Sequence, residues 1–161
     1  MKKFVSILLV TIMMFLSTIF VYASETSEYI LEEVPYGNFE NESKEELPCP
    51  YTLYIMGVTT HITDKGDGKI YMGVEVYCTH IMKKITTNFY LQQLINNKWV
   101  DVARHTCVGD DTDYMIAFVS VAQPPSGTYR VQTMTMVEDY NGFAEATEGV
   151  SGAIDFISPY T

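Results

Sequence analysis

Between Lys69 and Thr79 the chain alternates. Ile70, Met72, Val74, Val76 and Cys78 fall on one side, and Lys69, Tyr71, Glu75, Tyr77 and Thr79 on the other. A period of two is that of a β-strand with one face in a core and one in water, so Cys78 is expected to point inward. Ile85, Thr87, Phe89 and Leu91 repeat the pattern. Tyr51 to Ile62, Trp99 to Val102, Tyr114 to Val121 and Thr128 to Val137 are further runs rich in β-branched and aromatic residues, the composition of strands. No helical period interrupts them.

Turn chemistry fills the gaps. Asp64-Lys65-Gly66-Asp67-Gly68 and Asn141-Gly142 carry residues that tolerate positive φ in a hairpin. Asn96-Asn97-Lys98 reads as a tight turn, Met82-Lys83-Lys84 as a polar break and Gly109-Asp110-Asp111 as a loop. Gln123-Pro124-Pro125-Ser126-Gly127 is a loop because two prolines cannot donate to a ladder. A final strand pair, interrupted by Gly149 and Gly152, runs to Phe156. About seven short strands with turns between them predict an all-β fold, an immunoglobulin-like antiparallel β-sandwich. Gly127-Thr128-Tyr129-Arg130-Val131 supports this: a tyrosine two residues before an inward position, after a turn glycine, matches the tyrosine corner of such sandwiches. The Cys-Trp-Cys pattern of antibody domains is absent, and Trp99 stands at a strand start.

The N-terminus has a different pattern. Lys2 and Lys3 precede an apolar run from Phe4 to Tyr22, and Val21-Tyr22-Ala23 ends it with small residues before Ser24. This is a secretory signal peptide over residues 1–23, cut after Ala23. The alternative is an uncleaved anchor, since the run is long enough to span a bilayer. Residues 24–48 are acidic, with eight Glu between Glu25 and Glu46 against Lys44 alone. Their apolar residues have no period, so the segment is expected to be a flexible leader or spacer. Residues 49–161 form the β-sandwich domain.

Charge narrows the partners. The chain has 20 acidic and 10 basic residues and a net charge of −10, and Lys2 and Lys3 leave with the signal peptide. Such a chain repels phosphate backbones and anionic bilayers. The expected partner is therefore an extracellular protein or glycan, with no nucleic acid and no membrane after cleavage.

Three cysteines remain after cleavage: Cys49, Cys78 and Cys107. Export exposes them to oxidising conditions, and the preferred disulfide is Cys78 with Cys107, Cys49 pairing with either in the alternative. Cys78-Thr79-His80 is mirrored by His105-Thr106-Cys107. If the two stretches were antiparallel neighbours, Cys78, His80, His105 and Cys107 would share a face as a tetrahedral zinc set. Thr86 to Ile95 lies between them, and a disulfide with two surface histidines is the simpler reading, so no metal or cofactor is assigned. A Cys-His nucleophile lacks an oxyanion-hole loop or helix N-terminus, so no catalytic residue is assigned. Asp110-Asp111-Thr112-Asp113 lacks the spacing of a calcium loop. Among many tyrosines, Tyr71 and Tyr77 are the best candidates for stacking on a ligand, because alternation puts them on the wet face.

The stretch that combines an alternating strand with Leu91-Gln92-Gln93-Leu94, Asn97-Lys98-Trp99-Val100, Gly127-Thr128-Tyr129-Arg130-Val131 and Gly142 to Glu145 resembles a family of small secreted proteins of Gram-positive bacteria, classed as a domain of unknown function. The resemblance implies export and an immunoglobulin-like β domain, and it brings no catalytic residues. The expectation is a secreted, non-enzymatic interaction or surface-associated module. A carbohydrate- or cell-wall-binding module is the first alternative, and a Cys/His metal site or hydrolase the second.

Overall fold

A computed structural model describes residues 31–33, 43–46 and 53–160, with backbone alone for 43–46. The expected signal peptide with its cleavage site, most of the leader and Cys49 lie outside the described residues. Among the described residues eight strands follow one another: β1 (Leu31–Glu33), β2 (Ser43–Glu46), β3 (Ile55–Asp64), β4 (Lys69–Ile95), β5 (Lys98–Ala122), β6 (Gly127–Glu138), β7 (Ala144–Val150) and β8 (Ile154–Phe156). All pairings are antiparallel. No helix among the described residues is long and apolar enough to cross a membrane.

β4 and β5 form one long hairpin that serves two layers. Residues 70–78 of β4 pair with β3 on one side, and residues 69–77 pair with residues 114–122 of β5 on the other. Beyond a register shift between Tyr77 and Met82, residues 84–93 of β4 pair instead with β6 and with the first half of β5. The first layer therefore runs β2-β3-β4-β5-β1, and the second β5-β4-β6-β7, with β8 also on β6. Divided at its bends, the chain reproduces the immunoglobulin-like order, with β4 and β5 each contributing one half to either layer. The fold is all-β and antiparallel, as the alternation predicted.

Inward positions fill the space between the layers. Ile70, Met72, Val74, Val76 and Cys78 are buried, and so are Ile85, Thr87, Phe89 and Leu91. Tyr129 is fully enclosed, donates its hydroxyl to the Pro125 carbonyl at 2.8 Å and meets the Phe156 ring edge-on. That is the tyrosine corner, with Val131 buried two residues on. The layers approach closely at Gly149: a Cβ there would lie 2.3 Å from Thr60 Oγ1 and 2.8 Å from Thr133 Oγ1. Those two hydroxyls bond each other across the core at 2.7 Å.

Two segments expected as breaks are bends inside continuous strands. Met82-Lys83-Lys84 and Gly109-Asp110-Asp111 keep their pairing, with Asp111 at φ 53°. Polar residues there reflect exposure at the bend, and the ladder carries on because each segment still has a partner strand. Asn96 and Asn97 both take positive φ, 51° and 59°, as a two-residue hairpin turn of the twist-matching type requires. The leader also departs from expectation: Leu31–Glu33 pairs with β5 and Ser43–Glu46 with β3, at opposite edges of the first layer. Unpaired edge groups offer backbone partners even to a segment too polar to form a core.

Candidate functional site

The bends of β4 and β5, the start of β3 and the turn between β6 and β7 gather at one end of the sandwich. Thr79 donates its backbone N–H to the Tyr54 carbonyl at 2.8 Å, the Tyr54 hydroxyl reaches Asp139, and the Tyr140 hydroxyl donates to Asp111. Asp139 organises the turn that follows it. Its Oδ1 accepts the backbone N–H groups of Asn141 and Phe143 at 2.8 and 2.9 Å, which frees Gly142 to take φ 84°. Burial pulls the Asp139 carboxyl up, but those hydrogen bonds outweigh it and hold the group below its ordinary value.

This end carries large apolar side chains in water. Leu53, Met56, Tyr77, Ile81, Tyr114, Tyr140 and Phe143 are exposed, from 44% for Tyr77 to 80% for Leu53. Tyr77 and Tyr114 are cross-strand partners on the outer face of the first layer. Gly57 is the partner of Tyr77 on β3, with open space where a side chain would be. The two rings thus stand beside a bare stretch of strand. Asp111 accepts from the Tyr140 hydroxyl, Glu145 accepts the Tyr54 backbone N–H at 2.8 Å, and Asp113 precedes Tyr114, so the end combines aromatic faces with hydrogen-bond acceptors.

The two tyrosines expected to act together do not share a site. Tyr71 sits at the opposite end, where its hydroxyl donates to Asp67 and Lys65 lies over its ring at 4.8 Å. Burial and the Asp67 carboxylate push its hydroxyl up to about 12. Tyr77 remains at the candidate end, and its companion is Tyr114. Tyr114 was legible only as a strand residue, because its orientation depends on the bend at Asp111.

The cysteines and histidines also part company. Cys78 and Cys107 are both free thiols, which corrects the preferred Cys78–Cys107 disulfide. Cys78 stands opposite Ile55, while Cys107 stands opposite Thr87, in the other half of the hairpin. The same register corrects the zinc set of Cys78, His80, His105 and Cys107: His105 faces Phe89, and His80 stacks edge-on against Tyr54 at the exposed end. Both thiols are raised to about 11, by burial first and then by nearby carboxylates, Asp113 and Glu145 for Cys78 and Glu33 for Cys107. A thiol so raised is neutral at physiological pH and a poor nucleophile. The third histidine, His61, is buried beside Glu75, Nε2 to Oε1 3.3 Å.

A different cluster does form. Glu33, on β1, reaches across the open side of the sandwich to His105 and Cys107 on β5. The sequence concealed it because Glu33 belongs to the acidic leader, which had no visible reason to dock. Comparison with models of known protein families and with curated proteins finds no match to this chain.

Proposed function

We propose that the protein is an exported, non-enzymatic recognition module whose contact surface is the end bearing Tyr77 and Tyr114. The observation that carries this reading is the concentration of exposed aromatic and aliphatic side chains at one end of a rigid sandwich. Solvated large apolar groups in one place mark interaction surfaces more often than chance exposure does. Loops and bends on a fixed scaffold present them without a large ordering cost on binding. Export rests on the N-terminal apolar run and its small-residue cleavage site. The raised thiols support a non-enzymatic role, since neither supplies an activated nucleophile.

A glycan partner is the second reading, favoured by one feature: aromatic faces interleaved with Asp111, Asp113 and Glu145. Sugar rings offer apolar faces for stacking and hydroxyls for carboxylates to accept. Co-sedimentation of labelled protein with intact Gram-positive cells, before and after surface proteolysis, tests both readings. Binding lost on proteolysis identifies a protein partner, and binding retained identifies a wall glycan. The Tyr77→Ala/Tyr114→Ala pair is expected to reduce binding at least about tenfold, the range of a hot-spot loss. Undiminished binding by that pair removes this end as the contact surface.

A further inference from the structure

We propose that Glu33, His105 and Cys107 form a zinc site with one open coordination position, and that the metal ties the N-terminal edge strand to the opposite layer. His105 and Cys107 are two apart on β5 and so share its inner face. Glu33 projects from β1 where that strand pairs with Val119, at the edge of the other layer. One oxygen, one nitrogen and one sulfur converge, all three ligand atoms within 4.8 Å of one another.

His105 Nε2 to Glu33 Oε1 is 3.6 Å. Zinc–ligand bonds of about 2.0–2.3 Å in a tetrahedron place ligand atoms about 3.3–3.8 Å apart. The histidine–carboxylate pair already has that spacing. Glu33, whose side chain is 77% exposed, has the most room of the three to adjust toward the other two ligands.

The chemistry of the set selects the ion. Calcium and magnesium take oxygen ligands and would gain nothing from a thiol and an imidazole. Zinc accepts sulfur, nitrogen and carboxylate oxygen together, commonly as three protein ligands plus water. His105 Nε2 is shut off from solvent and makes no hydrogen bond, its nearest acid being that Glu33 oxygen beyond hydrogen-bond range. A buried ring nitrogen aimed at a thiol and a carboxylate, with no proton partner in reach, has the surroundings of a ligand.

A pocket of about 230 Å³ opens beside Glu33 and Cys107, bounded by Met115, Ala117 and Phe118. It leaves room for the fourth ligand, a water molecule. On coordination the Cys107 S–H bond breaks, its proton leaves to solvent, and the sulfur binds as thiolate. The cation offsets the repulsion that this thiolate would otherwise meet from Glu33.

The test uses purified protein carrying Cys49→Ser, reduced with a phosphine and stripped with chelator, and titrated with cobalt(II) and then zinc. One equivalent of cobalt is expected to produce a thiolate-to-cobalt charge-transfer band that zinc abolishes. Cys107→Ser is expected to remove the band, and Cys78→Ser to leave it. Glu33→Gln and His105→Gln are each expected to weaken zinc binding by at least about tenfold, as even loss of an outer ligand partner does.

Zinc is also expected to slow cleavage of the leader by a glutamate-specific protease, and to do so only with Glu33 intact. A missing band, or a band that survives Cys107→Ser, overturns the site. Full affinity or unchanged protection in Glu33→Gln overturns the tie to the leader. Should Cys107→Ser fail to fold, Glu33→Gln decides the question, because its exposed side chain is not needed for packing.

Discussion

Tyr129 shows how much one side chain decides. It fills the corner beneath the Gln123–Ser126 loop, and its hydroxyl donates to the carbonyl of the exposed Pro125. Tyr129→Phe keeps the ring and removes that hydrogen bond, so a loss of about 0.5–1.5 kcal/mol is expected in urea unfolding. The Thr60–Thr133 pair makes a sharper point. Replacing Thr133 by valine leaves the Thr60 hydroxyl buried without its partner, replacing Thr60 leaves the Thr133 hydroxyl only the Gly149 carbonyl at 3.5 Å, and replacing both removes the mismatch. Each single variant is expected to cost about 1–3 kcal/mol and the double variant less than their sum. Strict additivity in a double-mutant cycle would show that the hydroxyls do not act as a pair.

Asp139 links the turn to pH. Its folded pKa lies below the ordinary 3.8, so the folded state binds fewer protons than the unfolded one as acid is added. The stability it contributes is present above that ordinary value and is lost as pH falls through the folded pKa. Asp139→Asn is expected to be destabilised near neutral pH and to converge with the parent in strong acid. A difference in urea midpoint that stays constant across that range would refute the linkage. Both cysteines work in the other direction: raised to about 11, they withdraw stability as pH climbs past their unfolded value.

At the scale of the strand, alternation was enough to orient Ile70 through Cys78 and Ile85 through Leu91, because a half-buried strand writes its two faces directly into sequence. The tyrosine corner was legible too, since its geometry depends on residues four apart, Pro125 and Tyr129. What stayed hidden was whatever depends on distant pairing. Met82-Lys83-Lys84 looks like a terminator, yet β4 continues because β5 and β6 wait on either side. Cys78 and Cys107 looked like a pair because the hairpin register, which sets them on different halves, has no local signature. Glu33 looked solvated because its partners are contributed by a strand over seventy residues away, His105 on β5.

The leader strands yield a prediction at this scale. β1 covers one edge of the first layer, with Leu31 packed against the core. Leu31→Asp would bury a charge at that contact or release the strand, exposing the β5 edge to pairing with other chains. Concentration-dependent association by light scattering is expected for Leu31→Asp and not for the parent protein.

Across the whole molecule, surface charge and shape point to different uses. The net charge of −10 keeps copies apart and disfavours acidic partners, while the apolar residues of the Tyr77–Tyr114 end supply contact area. Binding through that end is therefore expected to persist, or strengthen, as salt is raised, in contrast to binding driven by opposite charge.

The continuity of β4 and β5 sets where the molecule can open. Two strands cross from layer to layer at the end that bears Tyr77 and Tyr114, while the Asn96–Asn97 turn and the Asp64–Lys69 turn stand at the far side, each belonging to one layer only. The Gln123–Ser126 loop also joins β5 of the first layer to β6 of the second at that far side, so the layers are tied by two continuous strands at one end and by one loop at the other. With the Asn96 and Gly66 turns each held within a single layer, amide hydrogens around them are expected to exchange well before those flanking Tyr77. The end proposed as the contact surface is fixed by two continuous strands of backbone rather than by side-chain packing alone.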